Sequence, residues 1–319
     1  MGTPPPSNTE GPERGDAPGR SGATDPTSAG SASAPVGEGR PDGRLRAGHA
    51  AADPVGDDSP DVVATTDGAV RTIRIDRPRA GNALTLATKD LLLGELQRAA
   101  ADPAVRAVVL TGTGRAFCAG QDLREHAALL AAGDPRVSST VRDFYNAAIL
   151  TITGMRKPVV AVVNGVTAGA GLGFACACDL RVAGRSATFT AAFAGVALAA
   201  DSGVSFLLPR LVGSGRASRM LLLGERWDAD QALAAGLVDA VVDDADLADE
   251  GRRLATRLAE GPTEAFAWIK ASLHHAASTD LASALSFEEA AQGALFRGED
   301  HRDAVAAFLA KQRPTYRGR

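Results

Sequence analysis

Two stretches decide how this chain is read: Arg115-Ala-Phe-Cys-Ala-Gly-Gln-Asp-Leu123 and Asn164-Gly-Val-Thr-Ala-Gly-Ala-Gly-Leu-Gly173. Each follows a short apolar run of the buried-strand kind, residues 105–111 and 159–163. Each puts small residues at a strand end, where backbone N–H groups can point into a crevice and glycine allows positive φ and close approach of a ligand. The second also opens a helix, whose N-terminus carries about half a positive charge. Two converging backbone donors make a site for a developing oxyanion. A plain structural turn is the competing reading of either stretch taken alone. Gly169 and Gly171 have the first spacing of a dinucleotide fingerprint, but Phe174 stands at its third glycine, so nucleotide redox chemistry is not indicated.

Outward from these stretches the chain alternates strand and helix. Residues 62–66 and 70–75 read as strands around an Asp67-Gly68 turn, with Pro78 closing the second. A helix capped by Thr85 runs to about residue 100 and breaks at Asp102-Pro103. A charged helical stretch follows the first glycine loop, then one helix over 139–155, the strand after Pro158, a small-residue helix ending near Asp179, and a strand over 180–183. From about Trp227 the pattern is almost wholly helical, with segments at 254–259, 265–273, 282–295 and 303–310. Such alternation is that of an α/β fold. Three segments are expected: a disordered tail over 1–60, poor in large apolar side chains, a core over 61–260, and a helical region over 261–319.

Composition narrows the function classes. The chain has 319 residues, 45% hydrophobic and 23% charged, with a formal net charge of −4. Without a long basic block, no nucleic-acid partner is expected. No apolar stretch is long enough to span a bilayer, and the N-terminus lacks the apolar run of a secretory signal. Three cysteines, Cys118, Cys176 and Cys178, suit a reducing cytoplasm better than a disulfide framework. Cys-Ala-Cys is not a metal knuckle, so small core residues are expected there and no metal site.

With these landmarks in place, residues 61–319 resemble the crotonase (enoyl-CoA hydratase/isomerase) superfamily. The resemblance rests on Asp76-Arg-Pro-Arg-Ala-Gly-Asn-Ala-Leu84, Phe117-Cys-Ala-Gly-Gln-Asp-Leu123, Lys157-Pro-Val-Val-Ala-Val-Val-Asn-Gly165, Ala168-Gly-Ala-Gly171, Cys178-Asp-Leu-Arg181, Leu207-Leu-Pro-Arg-Leu-Val-Gly213 and Ala232-Leu-Ala-Ala-Gly-Leu-Val238. Residues 303–318 look like the family's closing helix. The resemblance implies a spiral of ββα units, a C-terminal helical trimerisation region, a homotrimer or a hexamer made of two trimers, and an acyl-CoA thioester as substrate. Coenzyme A is then part of the substrate, and no separate cofactor is implied.

It also implies site residues. The oxyanion donors carry over to the backbone N–H groups of Gln121 and Ala170. Ala170 stands where glycine is commoner, which requires a negative φ there. The adenine pocket carries over to the backbone around residues 79–84 and 119–122, so that Ala80, Ala83, Leu84, Ala119, Asp122 and Leu123, with Gly169 and Gly171, are expected to line the substrate. Arg77 and Arg124 are candidate contacts for the CoA phosphates.

The two glutamates of the family's hydratases align with Gly173 and Phe193, neither of which can carry a proton. An acid stands instead at Asp201, in Ala199-Ala-Asp-Ser-Gly203, which resembles a segment of the family's isomerases, including the ring-1,2-epoxyphenylacetyl-CoA isomerases. Phe144-Tyr-Asn146 resembles that branch too. Ala200 and Val204 depart from it, standing where proline and a second glycine are usual. A carboxylate whose pKa is raised by apolar neighbours, for which Phe193, Leu198 and Phe206 are candidates, can take a proton from one carbon and return it two carbons away. The structural alternative is that Asp201 caps a helix beginning at Ser202. The dehalogenase branch shares an aspartate and a glycine at these positions, but needs a tryptophan at Phe193 and a histidine near Asn146. The expectation is an acyl-CoA isomerase of fatty-acid or phenylacetate metabolism. Its rivals are a hydratase using the same Asp201 and a catalytically weak thioester-binding protein.

Overall fold

The computed structural model describes residues 60–319, so the expected N-terminal tail lies outside the described residues apart from Pro60. The chain begins with a hairpin of β1 (Val62–Asp67) and β2 (Val70–Ile75), closed at the pair Asp67 and Val70. Helix α1 (Leu86–Ala101) follows, its first turn capped by the Thr85 hydroxyl accepting from the Thr88 N–H. Its buried face carries Lys89, Leu92, Leu96 and Ala99, the spacing of one helical stripe.

Three ββα units come next. The first is β3 (Ala107–Gly112), β4 (Ala116–Cys118) and a helical run of α2 (Leu123–Ala131), α3 (Arg136–Thr140), a π-helical turn (Val141–Asn146) and α4 (Ala147–Gly154). The second is β5 (Val159–Val163), β6 (Val166–Ala168) and α5 (Ala170–Ala177). The third is β7 (Leu180–Gly184), β8 (Thr188–Thr190), α6 (Val204–Val212) and α7 (Ser214–Leu223). Then come β9 (Arg226–Asp228), α8 (Ala229–Ala235), β10 (Ala240–Val242), α9 (Leu247–Ala259), α10 (Thr263–Ala276), α11 (Leu281–Leu295) and α12 (Glu299–Leu309).

Each unit gives one strand to each of two sheets, ordered β1-β2-β3-β5-β7-β10 and β4-β6-β8-β9. From β2 to β10 the larger sheet is parallel, and so is the smaller one from β4 to β8. Strand order therefore follows chain order, and the units stack as a spiral. Alternation across the larger sheet explains its unbroken apolar strands. Val108, Leu110, Val159, Ala161 and Val163 join Leu92, Leu96, Ile152 and Leu172 in one core, whereas Val109, Val160, Val162 and Val182 face Leu247, Ala255 and Ala259 of α9 in a second.

The α/β class and the repeating unit agree with the sequence reading, but several expectations are corrected. The single helix over 139–155 is interrupted by the π-helical turn, whose wider winding buries the neighbours Phe144 and Tyr145 together. The region after Trp227 is not wholly helical, since β9 and β10 add strands to both sheets. The glycine-rich stretches follow β3 and β5 as expected, but each contains a further short strand, β4 or β6, so that its glycine turn stands at the end of that strand. All three cysteines are free and buried, as expected of small core residues.

Candidate active site

Leu84 joins the N-terminal part of the chain to the first glycine turn. Its N–H donates to Gly120 O at 2.8 Å, and its carbonyl accepts from Asp122 N–H at 3.1 Å. In a trans peptide the C=O and N–H point in opposite directions. With the Gly120 carbonyl turned toward Leu84, the Gln121 N–H is turned away from it, and it meets no acceptor among the described residues. Gly120 has φ 87°, which only glycine adopts without strain.

The second turn brings its own donor. Gly169 has φ 54° and ψ −123° and precedes Ala170, the first residue of α5. Ala170 keeps helical backbone, so the alanine meets the condition set for it. As a first-turn N–H it has no intrahelical acceptor, and none elsewhere among the described residues. The two turns touch: a Cβ at Gly120 would lie 3.3 Å from Ala170 N and 3.0 Å from Ala168 O. A Cβ at Gly171 would run into the Cys118 carbonyl and lie 2.8 Å from Cys118 Cβ. Two unpaired N–H groups therefore sit side by side at the ends of β4 and β6.

Asp201 is half-buried in the segment leading into α6. The capping alternative does not hold. The helix starts at Val204 after Gly203 in the left-handed region, Asp201 gives it only a backbone carbonyl, and no side chain caps it. The Asp201 carboxylate accepts instead from the Ser202 hydroxyl at 2.8 Å. Burial raises its pKa above the usual carboxylate value, against the opposing pull of the Ser202 hydroxyl and the Lys89 charge. Ser202, itself at φ 51°, is buried against α5, where a Cβ on Gly173 would lie 2.5 Å from Ser202 Cβ. Gly203 packs toward Ile149 of α4. Of the apolar neighbours expected around Asp201, Phe193 is buried, but Leu198 and Phe206 are exposed, the latter under the Arg210 guanidinium. The adjoining residues Ser202 and Gly203 pack on α5 and α4.

Lys89 and Thr140 were not singled out by the sequence, and Tyr145 only as part of the segment Phe144-Tyr-Asn146. Lys89 Nζ donates to Gln121 Oε1 and to Thr140 Oγ1, both at 2.6 Å, and Tyr145 OH donates to the same Gln121 oxygen at 2.7 Å. The ammonium lies 4.8 Å from the Tyr145 ring centroid. Burial lowers the Lys89 pKa to about 8, with Glu125, Asp201 and Asp90 pulling it back up, and burial raises that of Tyr145. For Lys89 the available signal was its place on the apolar stripe of α1, three residues before Leu92.

The remaining candidates divide. Ala83 and Leu84 are buried and act through backbone, Ala119 is half-buried, and Ala80, Leu123 and Arg124 are exposed. Arg77 is a correction. Its guanidinium pairs with Asp61 at 3.3 Å and Asp122 at 3.1 Å and donates to the Ala83 carbonyl, so it belongs to the frame and is not free for phosphate. Asp122 is likewise occupied, capping α2; burial would raise its carboxyl, but the Glu125 N–H and then the Arg77 guanidinium hold it below the usual carboxylate range. The Arg124 backbone N–H donates to Asp122 Oδ1, but its guanidinium meets no acceptor among the described residues and remains the candidate for phosphate. Those residues hold no cluster of three or more His, Cys, Asp or Glu able to bind a metal, and no helix long and apolar enough to cross a membrane.

A family model described as enoyl-CoA hydratase/isomerase matches residues 65–319. A Rhodobacter capsulatus protein described as a probable enoyl-CoA hydratase is 40% identical over 247 residues, 77% of this chain and 94% of its own length. The 1,2-epoxyphenylacetyl-CoA isomerase of Escherichia coli is 36% identical over 258 residues, 81% of this chain and 98% of its own. The crystal structure of an enoyl-CoA hydratase from Bacillus anthracis superposes with a TM-score of 0.76 at 30% identity, covering 81% of this chain and all (100%) of that one.

Proposed function

Since the chain belongs to the enoyl-CoA hydratase/isomerase family, we propose that it is an acyl-CoA isomerase in which Asp201 carries the proton and the N–H groups of Gln121 and Ala170 hold the thioester oxygen. The observation that carries this reading is the packing of Gly173 on Ser202. A side chain at residue 173 has no room, so that hydratase acid slot is closed, and the segment that closes it holds Asp201.

The chemistry follows from the groups present. The Asp201 carboxylate takes a proton from the carbon beside the thioester carbonyl. The C–H electron pair forms the enolate, whose negative oxygen accepts from the two N–H groups, each worth roughly 2.7–4 kcal/mol in a dry site. The same carboxyl then returns the proton two carbons away, moving the double bond into conjugation with the thioester. Its raised pKa suits both halves of the transfer. Similarity to an epoxyphenylacetyl-CoA isomerase supports extending the substrates to phenylacetate-derived thioesters, and Arg124 at the rim suits the CoA phosphates. The protein assembles as a trimer or a pair of trimers through its C-terminal helices, where Leu273, Leu281, Phe308 and Leu309 are exposed in the single chain. Light scattering should return three or six chains per particle, and a monomer would remove this part of the proposal.

The deciding experiment supplies aliphatic and phenylacetate-derived 3-enoyl-CoA thioesters to wild type and Asp201→Asn in deuterated water. Conjugated 2-enoyl-CoA is expected from the wild type, carrying less than one deuterium per turnover because the same carboxyl returns the proton it took, with a loss of at least about 100-fold in the variant. A hydrated product would transfer the protein to the hydratases, in keeping with its Rhodobacter relative. Binding without turnover would leave a thioester-binding protein.

A further inference from the structure

The side chain of Gln121 is held more tightly than an ordinary turn requires. Its one carbonyl oxygen receives two donors from two different elements, Lys89 of α1 and Tyr145 of the π-helical turn, and Lys89 is itself tied to Thr140 of α3. Burying an ammonium on the apolar stripe of a helix is costly unless its protons are used. Here two of them are, one on Gln121. The π-helical turn is the device that makes the second donor available, because it buries Tyr145 beside Phe144 and Phe174 and delivers the hydroxyl to the amide. Gln121 in turn carries the backbone N–H that has no acceptor, in a peptide whose carbonyl is already fixed by Leu84.

We propose that Lys89 and Tyr145 are positioning residues. By donating together to Gln121 Oε1, they fix the Gln121 peptide so that its N–H faces the thioester oxygen, and Lys89 adds its positive charge behind that donor. This rests on the oxyanion-hole reading given above. Neither residue touches the reacting carbons. Their effect is on the orientation of one donor and so on the transition state, where an oxyanion-hole bond counts most. The Lys89 pKa of about 8 is consistent with a charge kept in a partly desolvated place for an electrostatic purpose.

The test uses the full-length protein with Tyr145→Phe, which removes only the hydroxyl, and Lys89→Met, which keeps most of the side-chain volume. Butyryl-CoA labelled with 13C at the thioester carbonyl, which has no double bond to move, serves as the infrared probe, and 3-enoyl-CoA turnover gives kcat and KM. The wild type is expected to shift the bound carbonyl band to lower frequency. Each variant should lose much of that shift and drop kcat roughly 10- to 100-fold, with KM changed less than about threefold, the pattern of an interaction made chiefly in the transition state. A band shifted equally in wild type and in Tyr145→Phe, with kcat unchanged, overturns the inference and leaves a buried polar network that serves stability alone. A band unshifted even in the wild type overturns the oxyanion hole itself, and the positioning role with it. Tyr145→Phe keeps the ring packing, so it decides the matter even if Lys89→Met fails to fold.

Discussion

The two turns that present N–H groups do so by different means. At the end of β4, Gln121 is fastened by side chains from distant parts of the chain, with Lys89 and Tyr145 on its amide and Arg77 on the neighbouring Asp122. At the end of β6, Ala170 is fastened by backbone alone: Gly169 in a conformation only glycine accepts, a helix beginning at the donor, and Gly171 pressed on the Cys118 carbonyl. The first turn is adjustable, since exchanging a clamping side chain alters the donor without rebuilding the chain. The second has no such adjustment, because its precision is steric.

That contrast can be broken most forcefully at Gly171. Gly171→Ala places a methyl group inside the Cys118 carbonyl and should cost about 3 kcal/mol or more of stability by overpacking, with activity lost along with the fold. Thermal melting with and without butyryl-CoA checks this. A variant melting within a degree or two of wild type would mean that the second turn yields, and that the two turns are not different in kind.

A smaller effect sharpens the comparison through pH, because only the first turn is clamped by an ionisable group. The charges facing Lys89 are Glu125, Asp201 and Asp90, together with the Tyr145 hydroxyl. Its folded pKa, about 8, lies below its unfolded value of 10.5. Between these values the unfolded chain binds the extra proton, so this group adds stability as pH rises from about 8, and its burial cost is fully expressed below that. The three buried cysteines, pushed up to about 12 from 9.0, act oppositely above pH 9. Comparing wild type with Lys89→Met cancels them. The wild type should gain in melting temperature relative to the variant between pH 7.5 and pH 10 (a range chosen to bracket the lysine's shift). A difference constant across that range would show that Lys89 titrates normally and is not desolvated.

Much of this was legible in the chain. The strands of the larger sheet up to β7 are five- or six-residue runs with apolar cores, long enough to show their pattern, and α1 announces itself through Thr85 and the stripe from Leu92 to Leu96. Asp201 and both glycine turns stood out by residue type. The smaller sheet did not, because β4, β6, β8 and β9 are three residues each and a period of two cannot show itself in three positions. The assumed neighbours of Asp201 failed for a related reason. Phe206 and Leu198 are near it in sequence, but the segment around residue 201 turns them outward and brings α5 against Ser202 instead.

By itself, the sequence determined the α/β class and the two glycine turns, since these depend on residue identity and short-range periodicity, while the resemblance to the family implied that Gly173 and Phe193 stand where its hydratases carry acids. Only the tertiary structure decided that Gly120 and Ala170 meet, that Gly173 closes on Ser202, that Arg77 is held within the frame, and that Lys89 reaches Gln121, 32 residues away. Such contacts are set by how helices and sheets pack in three dimensions, and no local pattern along the chain encodes the distance between two side chains on different elements.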